Sequence, residues 1–406
     1  MAAELSLNSF SFVAISCFAI LGCRVARSRV IRELLVLLVS AYFVFSFIKE
    51  WQQVALLGGF LALVFAIGRA KAASAQPWSA SVTFVIVASF WSFLFLLKDP
   101  GLFPALNPFH DHPLKLTGIS YIVFRGITFV LEVNPGDRPA LLGFANYMLF
   151  FPAFLAGPIE RFDQFSATTA HPIAWDESSY DAVNRVLNGF IKKFVIADNL
   201  TDLGIFAMMS QGAAFSTPVL WLGVLSQLSL LLLDFSGYCD IVLGVAALMG
   251  YRLTENFNHP FSGKNLQEFW SRWHISLSSV IQDYVFSPLS KVVITHVPRH
   301  LQTYGIASIY VISMVLVAMW HGTTAGFLLF GLLNGAVLFA IQIRRERARA
   351  AWKAAGKKGP LPPDSTMSIW SGRVATYLFV SVSMICWYST IPEALKIYQK
   401  LLGRAT

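Results

Sequence analysis

The sequence predicts an all-α, polytopic membrane protein, and three observations carry that expectation. Hydrophobic residues fill 56% of the 406 positions and charged residues only 13%, a balance far more apolar than that of a soluble chain of this size. A series of apolar runs approaches the roughly 20 residues that a helix needs to cross a bilayer. The cationic residues, which give a net charge of +9, gather in short loops between those runs, where they report orientation rather than nucleic-acid binding.

The runs are Phe10 to Cys23, Leu34 to Ile48, Val54 to Gly68, Ser79 to Leu97, Thr117 to Val133, Leu141 to Ala156, Leu220 to Met249, Tyr304 to Trp320, Ala325 to Ile343 and Ile369 to Tyr388. Backbone polar groups in hydrocarbon must be satisfied inside their own segment, so each run is expected to be a helix, about 10–12 helices in all. The first run follows Met1-Ala-Ala-Glu-Leu, without a basic start or a convincing cleavage site, and is expected to be a retained helix rather than a signal peptide.

Arg24, Arg27, Arg29 and Arg32 lie after the first run, Arg69 and Lys71 after the third, and RRERARAAWKAAGKK, Arg344 to Lys358, before the last. Single crossings place these loops together on the cytoplasmic side and both termini outside. The segment Tyr180 to Asn199, with Arg185, Lys192 and Lys193, then falls on the outer side, and is expected to be an amphipathic or partly re-entrant helix.

No polar segment is long enough to bury a core of its own, so residues 1–406 are expected to form a single membrane-embedded domain. Arg344 to Ser365, which includes GPLPP, reads as a flexible basic cytoplasmic loop. IPEALKIYQKLLGRAT, from Ile391, has apolar residues at helical spacing and reads as an amphipathic tail along the outer surface. Cys17, Cys23, Cys239 and Cys386 show no metal-ligand spacing and are expected to be buried thiols.

Polar residues concentrate between Asp234 and Ser290, where an apolar run acquires DFSGYCD and gives way to an aromatic stretch. Asp234 and Asp240 sit within or beside that run, and an ionisable residue at membrane depth points either to function or to a paired packing site. In EFWSRWHISLS, Glu268 to Ser278, helical spacing would put Trp270, Trp273, His274 and Leu277 on one face, with Arg272 elsewhere, which describes an interfacial helix. His321 closes the apolar run YVISMVLVAMW before Gly322, where a neutral imidazole could accept a proton from a hydroxyl or amine. For both histidines the plainer reading is a hydrogen-bonded structural residue. His110 and His112 in FHDHP, His171, His259, His296 and His300 are left outside the catalytic set, the last two because Pro298 interrupts a shared helix face.

Six motifs in a fixed order carry a resemblance: FFPAFLAGPIERF (Phe150 to Phe162), DFSGYCDI (Asp234 to Ile241), ENFNHPF (Glu255 to Phe261), KNLQEFWSRWHISLS (Lys264 to Ser278), DYVFSPL (Asp283 to Leu289) and MWHG (Met319 to Gly322). Together they resemble the membrane-bound O-acyltransferase family from about Gly118 onward. GISYIVFR (Gly118 to Arg125), GPIERF and the KN before EFW resemble the teichoic acid D-alanyl transferases. DFSGYCDI and ENFNHPF also resemble the alginate and peptidoglycan O-acetyltransferases. Where the alginate type commonly has RDY, this chain has Ile281-Gln282-Asp283-Tyr284 and lacks that arginine.

The resemblance implies a ring of tilted helices around a central funnel and tunnel. It implies catalytic histidines at His321 and His274, with His321 as base and His274 orienting the donor or stabilising charge. Candidate substrate-contacting residues in the matched motifs are Asp234, Asn258, Lys264, Trp270, Arg272, Trp273, Asp283 and Trp320. No metal or bound cofactor is implied. The donor would be an acyl thioester, on coenzyme A or on the phosphopantetheine arm of a carrier protein, and an extracytoplasmic partner would complete transfer to a cell-envelope polymer outside a bacterial inner membrane. No GxSxG elbow points to an acyl-enzyme serine. Competing readings are a lipid or protein acyltransferase of the same family, a transporter using Asp234, Asp240 and His321 as a proton path, and an inactive scaffold; the absence of an internal repeat speaks against the transporter.

Overall fold

The computed structural model describes residues 10–99, 101, 117–168, 176–210, 215–388 and 390–404. FHDHP, with His110, Asp111 and His112, lies outside the described residues, as does His171. The described residues are 79% helical and contain no strands, only an isolated bridge between Phe257 and Trp273.

In chain order the helices are α1 (Phe10–Val25), α2 (Arg29–Phe45), α3 (Trp51–Ala73), α4 (Ala80–Lys98), α5 (Ile119–Glu132), α6 (Leu141–Leu149), α7 (Phe162–Thr168), α8 (Glu177–Phe190), α9 (Asp198–Leu200) and α10 (Ile205–Ser210). They continue with α11 (Thr217–Leu248), α12 (Leu266–Trp270), α13 (Ile275–Ile281), α14 (Ser287–His296), α15 (Arg299–His321), α16 (Ala325–Ala354), α17 (Thr366–Ser383), α18 (Ile385–Tyr388) and α19 (Ile391–Leu401). Among the described residues, six spans are long and apolar enough to cross a membrane: α3, α4, α11, α15, α16 and the stretch Thr366–Trp387. The runs beginning at Phe10, Leu34, Thr117 and Leu141 form helices of 16, 17, 14 and 9 residues. At 1.5 Å per residue these fall short of a roughly 30 Å hydrocarbon core.

The chain groups into two compact units, one made of Met1–Val195 with Phe235–Glu255, the other of Ile196–Asp234 with Asn256–Thr406. In the first, Arg125 of α5 is fully buried and donates to the carbonyls of Tyr147, Met148 and Ala153, at 3.2, 3.0 and 2.5 Å. The guanidinium thereby satisfies the carbonyls left over where α6 ends, a frequent need at a buried helix terminus. Lys71 does the same for α5, donating to the carbonyls of Val130 and Leu131 at 2.8 and 2.9 Å, so a charge expected to mark topology also closes a helix.

Helix α8 and the later part of α11 approach backbone to backbone. A Cβ on Gly189 would lie 2.7 Å from the Gly237 carbonyl, and one on Gly237 would lie 2.9 Å from the Gly189 carbonyl. Small residues permit such contact between membrane helices, and this explains the glycine in DFSGYCD. The close approach delivers Asp240 to two cations, Arg185 Nε at 3.0 Å and Lys192 Nζ at 2.7 Å, while Arg185 also forks onto Glu255. Asp240 is therefore a paired packing residue. Tyr180, Val183, Leu187, Ile191 and Val195 remain exposed along one stripe, with Ser179, Ala182 and Gly189 buried, so the segment is amphipathic as expected. It continues into a π-helical stretch, Ile191–Ala197.

In the second unit α15 and α16 pack closely at Gly331 and Gly335, where added Cβ atoms would lie 2.9 Å from the Met314 carbonyl and 2.7 Å from Val311 Cα. Leu228, Phe269, Trp273, Met314, Phe330 and Met384 form its main core. The tail is helical, and Ala394, Ile397 and Leu401 of α19 bury against Ile205, Leu220, Val224 and Ile385.

Three expectations are corrected. The stretch Arg344 to Ser365 is not all loop: α16 runs on to Ala354, because Arg, Glu, Ala and Lys are strong helix formers and continue the helix past its apolar part. Cys17 is exposed, whereas Cys23, Cys239 and Cys386 are buried. EFWSRWHISLS is not one interfacial helix, for a reason that shapes the site.

Candidate active site around two histidines

Helix α12 starts at Asn265, whose side chain accepts from the Glu268 amide at 3.0 Å, and stops at Trp270. His274 then adopts left-handed backbone angles, φ 48° and ψ 55°, before α13 begins at Ile275. Such angles cost a branched-free but bulky residue about 1–2 kcal/mol and persist only where the surroundings enforce them. The enforcing segment is ENFNHPF. Phe257 and Trp273 form the antiparallel bridge, the Asn258 amide donates to the Arg272 carbonyl at 3.0 Å, and the Ile275 amide donates to the Asn256 carbonyl at 2.9 Å. The broken helix thus finds partners for its backbone in the neighbouring segment Asn256 to Asn258.

Asn256 sits at the centre, 1% exposed. Its Oδ1 lies 3.2 Å from the Ser276 amide, 2.8 Å from Ser276 Oγ and 3.1 Å from His274 Nδ1. A backbone N–H can only donate, so the atom facing it must be the amide oxygen. An oxygen has no proton to give, so His274 Nδ1 carries the hydrogen and donates to Asn256 Oδ1. In the neutral ring Nε2 then holds the lone pair. Burial pushes the His274 imidazole down to about 3, so it is uncharged at neutral pH.

His321 is the last residue of α15, and its ring is half-buried between two indoles. Trp320 and Trp387 each stand 4.5 Å away, centroid to centroid, at 62° and 51°. Trp320 also meets His274 edge-on at 6.0 Å, so this one indole touches both imidazoles. Gly322 follows in extended conformation, and a Cβ there would run into the Phe327 ring. Phe327 and Phe330 pack on Trp387 at 5.3 and 4.9 Å, which backs the far wall of the His321 slot.

The predicted residues separate into groups. His274, Trp320 and His321 converge, with Trp273 stacked on Phe269 at 5.6 Å and Trp270 edge-on to Phe330 at 6.3 Å in the supporting core. Arg272 and Asn258 hold each other: besides the backbone bond, Arg272 Nη1 donates to the Asn258 carbonyl at 3.3 Å. Lys264 pairs with Asp364 at 2.9 Å and lines a separate large cavity. Asp234 is half-buried in α11, and Asp283 is exposed on the π-helical turn Gln282–Phe286. Sequence reasoning missed Asn256, Ser276 and Trp387. An asparagine in an aromatic setting was a legible signal for the first; Trp387 lay inside an ordinary apolar run and offered none.

In the first unit Glu160, the acid of GPIERF, is buried and accepts from the amide and hydroxyl of Thr254. Burial pushes its carboxyl up to about 7, against the lowering effect of the Thr254 bonds and Arg125. This residue is part of the frame of the first unit.

Comparison with known proteins gives the family. A probable alginate O-acetylase of Pseudomonas fluorescens is 33% identical over 341 residues, 81% of this chain and 64% of that protein. A teichoic acid D-alanyltransferase of Streptococcus thermophilus is 31% identical, covering 67% of each chain. A peptidoglycan O-acetyltransferase of Helicobacter pylori is 28% identical over 64% of this chain and 47% of its own length. The chain spans from 42% to 64% of the length of the alginate O-acetylases that it matches. Residues 130–385, which contain both histidines and every motif from DFSGYCDI to MWHG, match the membrane-bound O-acyltransferase family, to which this chain belongs.

Proposed function

We propose that this chain is a membrane-embedded acyltransferase of a bacterial inner membrane. It takes a D-alanyl or acetyl group from a cytoplasmic thioester and passes it toward an extracytoplasmic envelope polysaccharide or teichoic acid. The observation that carries the reading is that His274 and His321 both pack edge-on against one tryptophan, Trp320. Relatives that acylate alginate, teichoic acid and peptidoglycan support the substrate class.

His321 serves as the base. It takes the proton of the acceptor hydroxyl as the oxygen attacks the thioester carbonyl, and the C–S bond breaks as the tetrahedral intermediate collapses. The leaving thiolate recovers the proton from the imidazolium, so the histidine is regenerated. Half-burial leaves the ring reachable, and the two indoles limit how it can turn. His274 fits an orienting role better than charge stabilisation, because it is neutral and its buried Nε2 presents a lone pair. The donor is carried on coenzyme A or a carrier protein, and an extracytoplasmic partner completes delivery.

Acyl transfer in membranes tests this. Native chain and His321→Ala at matched expression are supplied with labelled acetyl or D-alanyl thioester together with any partner encoded beside this chain. Label from one donor in envelope material, lost in the variant, identifies the enzyme and its acyl group. Equal labelling by the variant would remove His321 from the mechanism.

A further inference from the structure

In the first unit α3 and α4 leave a groove between them because each packs on α5. A Cβ on Gly126 of α5 would lie 3.2 Å from the Phe60 ring and from Val64 of α3, and Trp91 of α4 meets Phe124 of α5 edge-on at 5.3 Å. The groove holds about 430 Å3 and is bounded by Ala55 to Ile67 on α3 and Val85 to Phe93 on α4. Buried Phe60, stacked on Phe93 at 5.4 Å and tilted against Phe90 at 5.5 Å, forms its floor. Ser89 is the one polar residue of the lining, and its hydroxyl donates to the Val85 carbonyl at 2.8 Å, so the groove presents only hydrocarbon to a ligand. Gly59 opens the α3 wall, since a Cβ there would meet no atom within 4 Å. Helix α4 is also the least covered of the six spans, with 17% of its apolar stretch buried in the protein against 28–39% in the others. Its packing is completed from outside.

Dimensions and charge select the occupant. At 1.5 Å per residue Ala55 to Ile67 covers about 18 Å, close to the roughly 15 Å that one leaflet takes of a roughly 30 Å hydrocarbon core. A helix about 10 Å across would need roughly three times the groove's volume over that length, so only one ridge of it could enter. Two residues beyond Ile67, Arg69 is exposed and has no carboxylate at ion-pair distance among the described residues. The positive-inside rule puts this end of α3 at the cytoplasmic headgroup level. Lys71, close by, is committed to the carbonyls of Val130 and Leu131, which leaves Arg69 to meet a headgroup. An apolar slot one leaflet deep with an unmatched cation at its headgroup end complements an anionic phospholipid.

We propose that the groove between α3 and α4 binds one anionic phospholipid of the cytoplasmic leaflet, with an acyl chain lying along Gly59 and Leu63 and the phosphate against Arg69. Bound there, the lipid covers the side of α4 that the protein leaves bare and completes its seat on α5.

The test counts lipids retained by the full chain, delipidated in detergent and titrated with phosphatidylglycerol or phosphatidylcholine of matched acyl chains, by native mass spectrometry. We expect a single phosphatidylglycerol to bind in preference to phosphatidylcholine. Gly59→Phe fills the groove from open space and should weaken both lipids about tenfold or more, as apolar contact along the chain is lost. Ser89→Leu fills it from the opposite wall, should act in the same direction, and decides the matter if the first variant does not fold. Arg69→Gln should leave phosphatidylcholine unchanged and weaken phosphatidylglycerol by about fivefold, the scale of one exposed ion pair. Retention that ignores both groove-filling variants, or a native chain that does not distinguish the two headgroups, overturns the proposal. A copurifying protein or a second copy of the chain, held by the native form without lipid and lost in Gly59→Phe, would make the groove a helix interface and overturn it equally.

Discussion

Asn256→Ala is the perturbation that most directly interrogates the histidine site. Asn256 Oδ1 receives three donors, of which the Ser276 amide and His274 Nδ1–H cannot turn elsewhere. A buried donor left without an acceptor costs about 1–3 kcal/mol, so the two fixed donors predict a loss of about 2–6 kcal/mol, centred near 4. The Ser276 hydroxyl can rotate, and its contribution is isolated by a cycle. Ser276→Ala in the native chain removes one hydrogen bond and should cost about 1 kcal/mol, but in the Asn256→Ala background it should cost close to nothing. The assay is denaturant unfolding of the purified chain in mixed micelles, followed by tryptophan fluorescence. An Asn256→Ala chain within 1 kcal/mol of the native, or a Ser276→Ala cost equal in both backgrounds, would show that Asn256 does not hold the His274 turn and that the tautomer argument is unfounded.

Trp387→Ala should lower kcat for acyl transfer by up to about tenfold with little change in KM, the scale of one lost aromatic contact, and Trp387→Phe should restore most of it; a loss confined to KM would place Trp387 in substrate binding instead. Asp240→Asn leaves Lys192 without its partner and weakens the hold on Arg185, so unfolding free energy should fall by about 1–3 kcal/mol, and the deficit should shrink in a Lys192→Gln background to what the Arg185 contact contributes; an undiminished deficit would mean that the Lys192 pair carries none of it. Glu160 imposes a pH dependence of defined sign. Its carboxyl titrates near 7 in the fold and near 4.5 when unfolded, so the folded state holds the extra proton between those values and stability falls as pH rises through that window, by about 3 kcal/mol in total. Glu160→Gln should flatten this slope, and an unchanged profile would mean that another group is responsible.

The apolar runs announced helices correctly because composition alone decides whether a segment can satisfy its backbone in lipid. Their lengths were less legible. The basic end of α16 looked like a loop since hydropathy ended at Ile343, yet helix propensity carries it to Ala354. His274 and His321 were both visible, one through its aromatic setting and one through its place at the end of an apolar run. What could not be read was how the first is oriented. Helical spacing along EFWSRWHISLS assumes continuous backbone, and the left-handed turn at His274 is set by pairing with Asn256 to Asn258, a contact between segments that no local pattern encodes. The same holds for Arg272, whose bond to the carbonyl of Asn258 is another contact between segments. Trp387 reaches His321 from a helix more than sixty positions along the chain, and a tryptophan in an apolar run has no mark that distinguishes it from core.

The left-handed backbone at His274 also governs how the residue can be removed without confusion. Alanine at this position would delete the imidazole and at the same time pay the steric cost of a Cβ in that conformation, without the Asn256 bond that offsets it in the native chain. Its phenotype would mix chemistry with a sprung turn. Glycine keeps the turn at little strain, and asparagine tolerates it while offering a side-chain amide to the same acceptor. The pair His274→Gly and His274→Asn is therefore the informative knockout, and a result obtained with alanine alone would speak as much about the hinge between α12 and α13 as about the ring it carries.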